Sequence, residues 1–180
     1  MMDFLDYENH ELYFDTPLSE EDEGLLKKAA EAYPSKQTED ILLELHTRLP
    51  ENLVVIVALY RFYYYQHRYQ DALGIAKKSL DISAEKLGLR VDWKELTESR
   101  LGSGVFISMG LVRFYMLSLK ASAYLLMRTD EIEKAYERLA KIVELDPADQ
   151  FGAAFLLRMA EKELSIKHAE EHNITSLFNH

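Results

Sequence analysis

Cysteine is absent from this sequence, and proline and glycine are scarce, with four and seven residues among 180. Without cysteine there is no disulfide framework and no thiolate metal site. So little proline and glycine, in a chain that is 48% hydrophobic, excludes a collagen-like or largely disordered protein. The length suits one domain with a sizeable core, and the lack of cysteine fits a reducing, cytoplasmic setting.

Lysine and arginine are missing from the first 24 residues, which hold nine acidic side chains. The other 156 residues carry 22 acids and 21 bases, so the net charge of −10 belongs almost entirely to this N-terminal segment. A nearly neutral body offers a nucleic acid no basic surface on which counterion release could drive binding. We therefore expect no nucleic-acid partner.

Long uninterrupted apolar runs are also missing. The N-terminus lacks the basic residues and the continuous apolar stretch of a secretory signal peptide. The stretch that comes nearest to a membrane span, residues 105–127, contains Arg113 and Lys120, and each of these cations is costly at the centre of a bilayer. We predict a buried helix of a bundle here and no membrane insertion.

Helical periodicity is what the sequence does contain, along almost its whole length. In residues 69–80 and 132–145, apolar side chains recur every three or four positions, which places them on one face of a helix. Ser19 resembles a helix N-cap, and prolines such as Pro34 close helices. The sequence predicts an all-α fold with helices near residues 19–33, 38–48, 53–66, 69–86, 92–100, 106–128, 131–145 and 149–170.

Two stretches share the 34-residue spacing of a helix–turn–helix repeat. The first begins at Leu53 and has Ala72 at the opening of its second helix, and the second begins at Met116 with Ala135 at the same place. The supporting positions are Pro50, Ile56, Leu59, Tyr63, Tyr69 and Ser79 for the first stretch, and Leu119, Ala123, Leu126, Leu139, Ile142 and Pro147 for the second. On these residues the chain resembles the tetratricopeptide repeat (TPR) family.

The resemblance implies an antiparallel array of helix pairs, a TPR-like α-solenoid. Its two clear repeats are separated by a helical insertion at about residues 86–115, and residues 19–50 form a degenerate first repeat. We expect the helical domain to cover residues 19–172. A flexible acidic-aromatic segment, residues 1–18, precedes it in this interpretation, and a tail, residues 173–180, follows.

In the TPR family, the first helix of each pair lines a concave groove that holds extended peptides or the termini of partner proteins. The resemblance therefore implies a non-enzymatic protein–protein interaction module that uses no cofactor, such as an adaptor, an assembly factor or a small chaperone. Carried onto this sequence, the groove-facing positions are Arg61, Tyr64, Tyr65, Lys120, Tyr124, Met127 and Arg128, with Val54, Val57, Leu117, Phe151, Phe155 and Met159 beside them. Such a groove suits a protein or peptide segment that mixes acidic and aromatic residues, because arginine pairs with carboxylates and tyrosine gives rigid contact area.

The chain itself contains a segment of that chemistry at its N-terminus. Apolar and acidic side chains alternate there, with Phe4, Leu5, Tyr7, Leu12, Tyr13 and Phe14 among Asp3, Asp6, Glu8, Glu11 and Asp15. Three interpretations are open: the segment docks in the chain's own groove, it attracts a partner, or it is a solvated tail that aids solubility.

Two other functions remain as alternatives. His168 and His172 belong to the sequence HAEEH, which matches the inverted zinc-peptidase pattern and predicts a metal-dependent hydrolase with Glu171. These histidines are weak metal candidates, because no acidic residue follows His172 to serve as a third ligand. The second alternative is a self-associating structural module, a homodimer that buries Trp93 and the apolar part of the insertion.

Overall fold

The computed structural model describes residues 16–177, with side chains described as far as residue 170, and this part of the chain is all-α. The predicted all-α class is confirmed within these bounds, and α8 extends into the predicted C-terminal tail. Of the predicted N-terminal segment, residues 1–15 lie outside the described part. The α-helices are α1 (Glu20–Ala32), α2 (Lys36–Arg48), α3 (Leu53–Tyr65), α4 (Tyr69–Lys86), α5 (Glu98–Val105), α6 (Met109–Arg128), α7 (Ile132–Leu145) and α8 (Ala154–Leu177), with a 3-10 helix at Trp93–Glu95.

One predicted helix and several helix boundaries differ from the sequence-based prediction. The helix predicted at residues 92–100 is wrong, because the chain turns inward at Leu96, which is buried, and α5 begins only after Thr97. The hydroxyl of Thr97 caps α5 by accepting a hydrogen bond from its first turn. Ser108 caps α6 in the same way, so α6 begins later than predicted. Helix α8 also begins later than predicted, and its first residue, Ala154, donates its N–H to the side chain of Asp149 in the loop before it.

The helices pack mainly against their neighbours in the chain. The series runs α1 on α2, α2 on α3, α3 on α4, α4 on α6, α6 on α7 and α7 on α8. The 3-10 helix packs on α7 and α5 packs on α6, so the segment between α4 and α6 lies beside the main series. The division into repeats and an insertion stays a prediction, because many helical arrays pack their helices in chain order.

Helix α6 forms the centre of the core. Its buried side chains include Phe114, Tyr115 and Leu119, each at most 2% exposed. Burial, with a smaller effect of nearby carboxylates, raises the pKa of Tyr115 to about 12, so this phenol stays protonated. Tyr60 and Tyr63 of α3 are buried as well.

Helix α3 begins with a run of β-branched residues that would suit a strand equally well. Val55, Ile56 and Val57 are all at most 1% exposed, so burial against neighbouring helices decides their conformation. The side chain of Asn52 accepts hydrogen bonds from the N–H groups of Val54 and Val55, at 3.1 and 3.2 Å, and so starts the helix.

The turns that join α3 to α4 and α6 to α7 have the same backbone geometry. His67 and Asp130 stand at equivalent places in them, with positive φ angles of 58° and 63°. In each turn the following residue donates its N–H to the carbonyl five residues earlier, at 2.9 Å. His67 and Asp130 are 63 residues apart, as are Leu53 and Met116, which begin the two predicted repeats.

The ends of α2 and α7 are also alike. Leu49 and Asp146 close these helices with φ and ψ of −130° and 63° in one case and −133° and 68° in the other. Each residue precedes a proline, Pro50 or Pro147, which cannot donate the next helical hydrogen bond. The pair formed by α1 and α2 therefore ends as the pair formed by α6 and α7 does.

Candidate functional site

Three tyrosines and an arginine come together where the C-terminal ends of α3 and α6 meet the N-terminal end of α4. The ring centre of Tyr64 lies 6.0 Å from that of Tyr69 and 6.2 Å from that of Tyr124. The guanidinium of Arg128 stands 4.6 Å from the centre of the Tyr69 ring. It donates to the hydroxyl groups of Tyr69 and Tyr124, at 3.0 and 3.4 Å. We call these four residues the tyrosine–arginine cluster.

Arg128 gives the cluster a fixed positive charge. Its hydrogen bond with Tyr124, and then its interaction with Tyr69, raise the pKa of Arg128 above its already high ordinary value. A guanidinium has five N–H donors, so the two bonds to tyrosine leave donors for a carboxylate. His67 stands at the edge of the cluster, with Nδ1 2.8 Å from the Tyr69 hydroxyl. The cluster therefore suits an acidic group that lies next to an aromatic one.

A pocket of about 380 Å³ opens between α1, α2 and α3. Small residues such as Ala29 and Ala58 leave room at its base, and Tyr33 and Tyr65 stand at its walls, 45% and 53% exposed. Tyr33 packs edge-on against Phe62, with ring centres 6.3 Å apart. We call this the α1–α3 pocket, and the full set of residues that line it is Leu26, Ala29, Ala30, Tyr33, Thr38, Leu42, Ala58, Arg61, Phe62 and Tyr65.

The α1–α3 pocket and the tyrosine–arginine cluster adjoin along α3. Arg61 and Tyr65 lie one helical turn apart and both line the pocket. The ring of Tyr65 packs against that of Tyr64, with centres 5.6 Å apart, and Tyr64 belongs to the cluster. Tyr64 is in turn stacked on the buried ring of Tyr60 at 6.0 Å, which fixes its position. We call the combined surface the aromatic strip.

Most of the predicted groove residues lie on this strip. The structure places Arg61 and Tyr65 in the pocket, and Tyr64, Tyr124 and Arg128 in the cluster. Met127 lies partly exposed beside Arg128 and packs against the core. The exposed pair Phe155 and Met159 stands on α8, 54% and 43% exposed.

Lys120 is the exception among the predicted site residues. Its side chain is 1% exposed, and Nζ donates to the carbonyl of Phe151 at 2.6 Å. The loop before α8 covers this part of α6, so Lys120 lies inside the protein and does not line an open groove. Val57 and Leu117, which were expected beside the groove, are also buried at 1% exposure.

The sequence-based prediction missed several residues of the strip. Tyr69 is predicted only as a supporting position of the first repeat, yet its hydroxyl accepts a hydrogen bond from Arg128, which is 59 residues away. Neither Tyr33 nor Phe62 is among the predicted site residues, and both line the pocket. Periodicity marks which face of a helix is apolar, but it does not tell which exposed ring meets which neighbour.

The described residues also bear on the metal-binding and membrane predictions. Among them, no group of three or more histidine, aspartate or glutamate side chains is placed to hold a metal ion. His168 is exposed on α8, while the side chains of Glu171 and His172 lie outside the described residues. None of the helices between residues 16 and 177 combines the length and the apolar character needed to cross a bilayer.

Trp93, the residue expected at a dimer face, packs within its own chain. Its ring lies 5.5 Å from the guanidinium of Arg138 on α7 and 5.4 Å from Nζ of Lys94. Burial lowers the pKa of Arg138 from its ordinary value. Trp93 is partly buried by these contacts, so it helps to fasten the 3-10 helix to α7.

The chain is similar in sequence to a known protein of undetermined function. The chain is 40% identical over 156 residues to an uncharacterized 19.8 kDa protein in the nifW 5′ region of Azotobacter chroococcum mcd 1, and the match covers 87% of each chain. No protein-family model matches the sequence. No solved structure matches it either.

Proposed function

The chain belongs to the family of the uncharacterized 19.8 kDa protein in the nifW 5′ region of Azotobacter chroococcum mcd 1, and we propose that it is a non-enzymatic protein–protein interaction module. It binds a segment of a partner protein along the aromatic strip, as an adaptor, an assembly factor or a small chaperone does. The observation that carries the proposal is the continuity of the α1–α3 pocket with the tyrosine–arginine cluster.

The strip has the chemistry of a binding surface. Tyr33 and Tyr65 are about half exposed, and both are held by neighbouring rings or hydrogen bonds, so binding would cost them little conformational entropy. The pocket between them is within the range of about 300–1,000 Å³ that is usual for ligand pockets. It is large enough for one apolar side chain of a partner segment.

The partner segment in this proposal mixes acidic and aromatic residues. Arg61 lines the pocket and Arg128 caps the cluster, so two cations stand at separate points of the strip. No acidic residue is among the described residues that line the pocket. Carboxylates of a partner would pair with the arginines while its rings pack against the tyrosines.

We also propose that the helix pairs form a TPR-like array. The turns at His67 and Asp130 have the same geometry, and they are separated by the same 63 residues as the starts of the two predicted repeats. Both facts support this arrangement. The equal endings of α2 and α7 support a first repeat made of α1 and α2. The strip then includes residues of α1, α3 and α6, the first helices of the three pairs, together with Thr38 and Leu42 of α2 and Tyr69 of α4. The cytoplasmic setting and the possible homodimer remain predictions.

The test of this proposal is affinity capture from an extract of the source cells. The strip variant carries Arg61→Glu and Arg128→Glu, and we expect it to bind the partner at least about tenfold more weakly than the wild type. The matched control carries Arg158→Glu and Lys162→Glu, which make the same change of charge at exposed positions of α8. Far-ultraviolet circular dichroism first confirms that both variants are folded.

Two results are decisive. A protein that the wild type and the α8 control retain, and that the strip variant loses, supports the proposal and identifies the partner. Equal retention by all three proteins would show that the strip is not the binding surface.

A further inference from the structure

The three most exposed large apolar side chains of the described residues stand together, away from the aromatic strip. Phe106 and Ile107 connect α5 to α6, and Met109 is the first residue of α6. Their side chains are 94%, 61% and 57% exposed. A cluster of this kind on a monomer's surface marks an interaction site more often than isolated apolar residues do.

A cavity of about 540 Å³ lies beside these residues. Ile107 is part of its lining, which is apolar apart from two arginines and a serine. A third arginine, Arg113, is exposed on α6 one turn after Met109. The lining residues are Leu87, Gly88, Leu89, Arg90, Val91, Arg100, Ser103 and Ile107. We call this cavity, together with Phe106, Met109 and Arg113, the α4–α5 corner.

The charged side chains that line the cavity of the α4–α5 corner are all positive. No acidic residue is among the described residues that line the cavity with Ile107. Acidic side chains do line a second cavity, which shares residues 88–91 with the first, and they are Asp81, Glu85 and Asp92. An acidic segment would therefore be attracted to the cavity with Arg100 and Ile107 and repelled by the carboxylates of the second cavity.

The described chain begins next to this corner. The carbonyl of Thr16 accepts a hydrogen bond from the side chain of Asn52 at 2.9 Å. Thr16 also lines a surface cavity together with Lys86, the last residue of α4, and Leu87 opens the α4–α5 corner. By contrast, the α1–α3 pocket is lined by the second half of α3, so it lies farther along that helix from Asn52.

We propose that residues 3–14 of this chain dock on its own α4–α5 corner. Residues 1–15 hold five acids and no lysine or arginine, and six apolar side chains alternate with these acids. Fifteen residues in an extended conformation span up to about 50 Å, which is ample for an attachment point beside Lys86. The apolar side chains cover Phe106, Ile107 and Met109, and the carboxylates face the arginines of the corner. This inference is independent of the proposed function, because it concerns a different surface.

Distances between spin labels on the full chain test the proposal. Because the protein has no cysteine, Asn9→Cys with Ser99→Cys places two labels without any other change. Asn9→Cys with Gln37→Cys reports instead on the α1–α3 pocket, since Gln37 precedes the pocket residue Thr38. We expect a short and narrow distance distribution for residues 9 and 99, and its loss when Arg90→Glu and Arg100→Glu are added.

The controls separate the other possible occupants. Arg158→Glu with Lys162→Glu, which reverses two charges on α8, must leave the short distance intact. A broad distribution in the wild type that the arginine variants do not alter would overturn the proposal. So would a short distance only between residues 9 and 37, or one that disappears on dilution with unlabelled protein, which would show docking on a second copy.

Discussion

At the scale of single residues, Lys120 has the greatest difference between predicted and observed roles. A cation was expected in an open groove, but the ammonium group is buried and donates to the carbonyl of Phe151. Gly152, with a φ of 64°, passes close to this ammonium group. Lys120 therefore holds the loop that leads into α8, and its charge is part of the fold.

The Lys120→Met variant tests this structural role. It keeps a long side chain but leaves the buried carbonyl of Phe151 without its donor, so we expect a loss of about 1–3 kcal/mol in the free energy of unfolding. Lys162→Met, at an exposed position of α8, serves as the control and should change stability by less than about 0.5 kcal/mol. Urea denaturation measures both. Unchanged stability of Lys120→Met would contradict the structural role.

His46 makes the stability depend on pH. Burial first, and then the charge of Lys78, lower the pKa of His46 below the ordinary 6.5. The structure places Nζ of Lys78 2.9 Å from Nε2 of His46, which needs a neutral ring to accept the bond. Because the pKa of His46 is lower in the folded state than in the unfolded state, the stability that neutral His46 contributes is fully present above about pH 6.5. This contribution is lost as the pH falls from there through the folded-state pKa.

The matching experiment compares unfolding midpoints at about pH 7.5 and 5.5. We expect His46→Gln to lose less stability over this interval than the wild type, because glutamine does not titrate. Carboxylates titrate in both proteins, so the difference between the two slopes reports on His46. Identical slopes would show that His46 is protonated equally easily in the folded and unfolded states.

The candidate site was predictable in part from its residues. The frame given by the 34-residue spacing of the two predicted repeats places Tyr64, Tyr124 and Arg128 on corresponding faces of two helices. The structure brings these three residues together. The frame could not reveal Tyr33 or Tyr69, because their positions depend on neighbours that are distant in sequence. It also could not show that the loop before α8 covers Lys120.

At the scale of elements, α5 is the helix that sequence reasoning placed least well. It contains two glycines in eight residues, a composition that argues against a helix. The two glycines differ in their surroundings. A Cβ at Gly102 would meet nothing within 4 Å, whereas one at Gly104 would lie 3.1 Å from Val112 Cγ2 and 3.3 Å from Leu87 Cδ2. Gly104 is therefore needed for close packing, and Gly102 is not.

This difference predicts opposite effects of the same substitution. Gly102→Ala should stabilise the protein by about 0.5–1 kcal/mol, because alanine is the better helix former. Gly104→Ala should destabilise it by about 1–3 kcal/mol, because Val112 and Leu87 must move. Thermal unfolding compares the pair. Equal stabilisation by both substitutions would mean that α5 does not pack closely on these side chains.

At the scale of the whole molecule, the helical class followed directly from periodicity, and the order of packing did not. Apolar positions show that a helix has a buried face, but they do not identify the helix that covers it. The central place of α6 is visible only in the fold, where α4, α5 and α7 all pack against it. Most of its residues are buried, which agrees with the long and largely apolar sequence of this stretch.

Unequal burial predicts unequal local stability. Amide hydrogens of α6 should exchange most slowly with solvent, and those of α1 should exchange much faster, because only two residues of α1 are buried. Hydrogen exchange followed by mass spectrometry measures this difference helix by helix. The same exchange rate in all helices would indicate that the protein opens only as one cooperative unit.

Packing in chain order also has a consequence for how the protein is made. Most helices meet the helix that was synthesised just before them, so structure can form while the chain is still leaving the ribosome. The step from α4 to α6 is different, because residues 87–108 must be added before α6 arrives. During that interval the nascent chain exposes the apolar side of α4 that α6 later covers. A pause in translation at this point would leave the unfinished protein most open to chaperones and to aggregation.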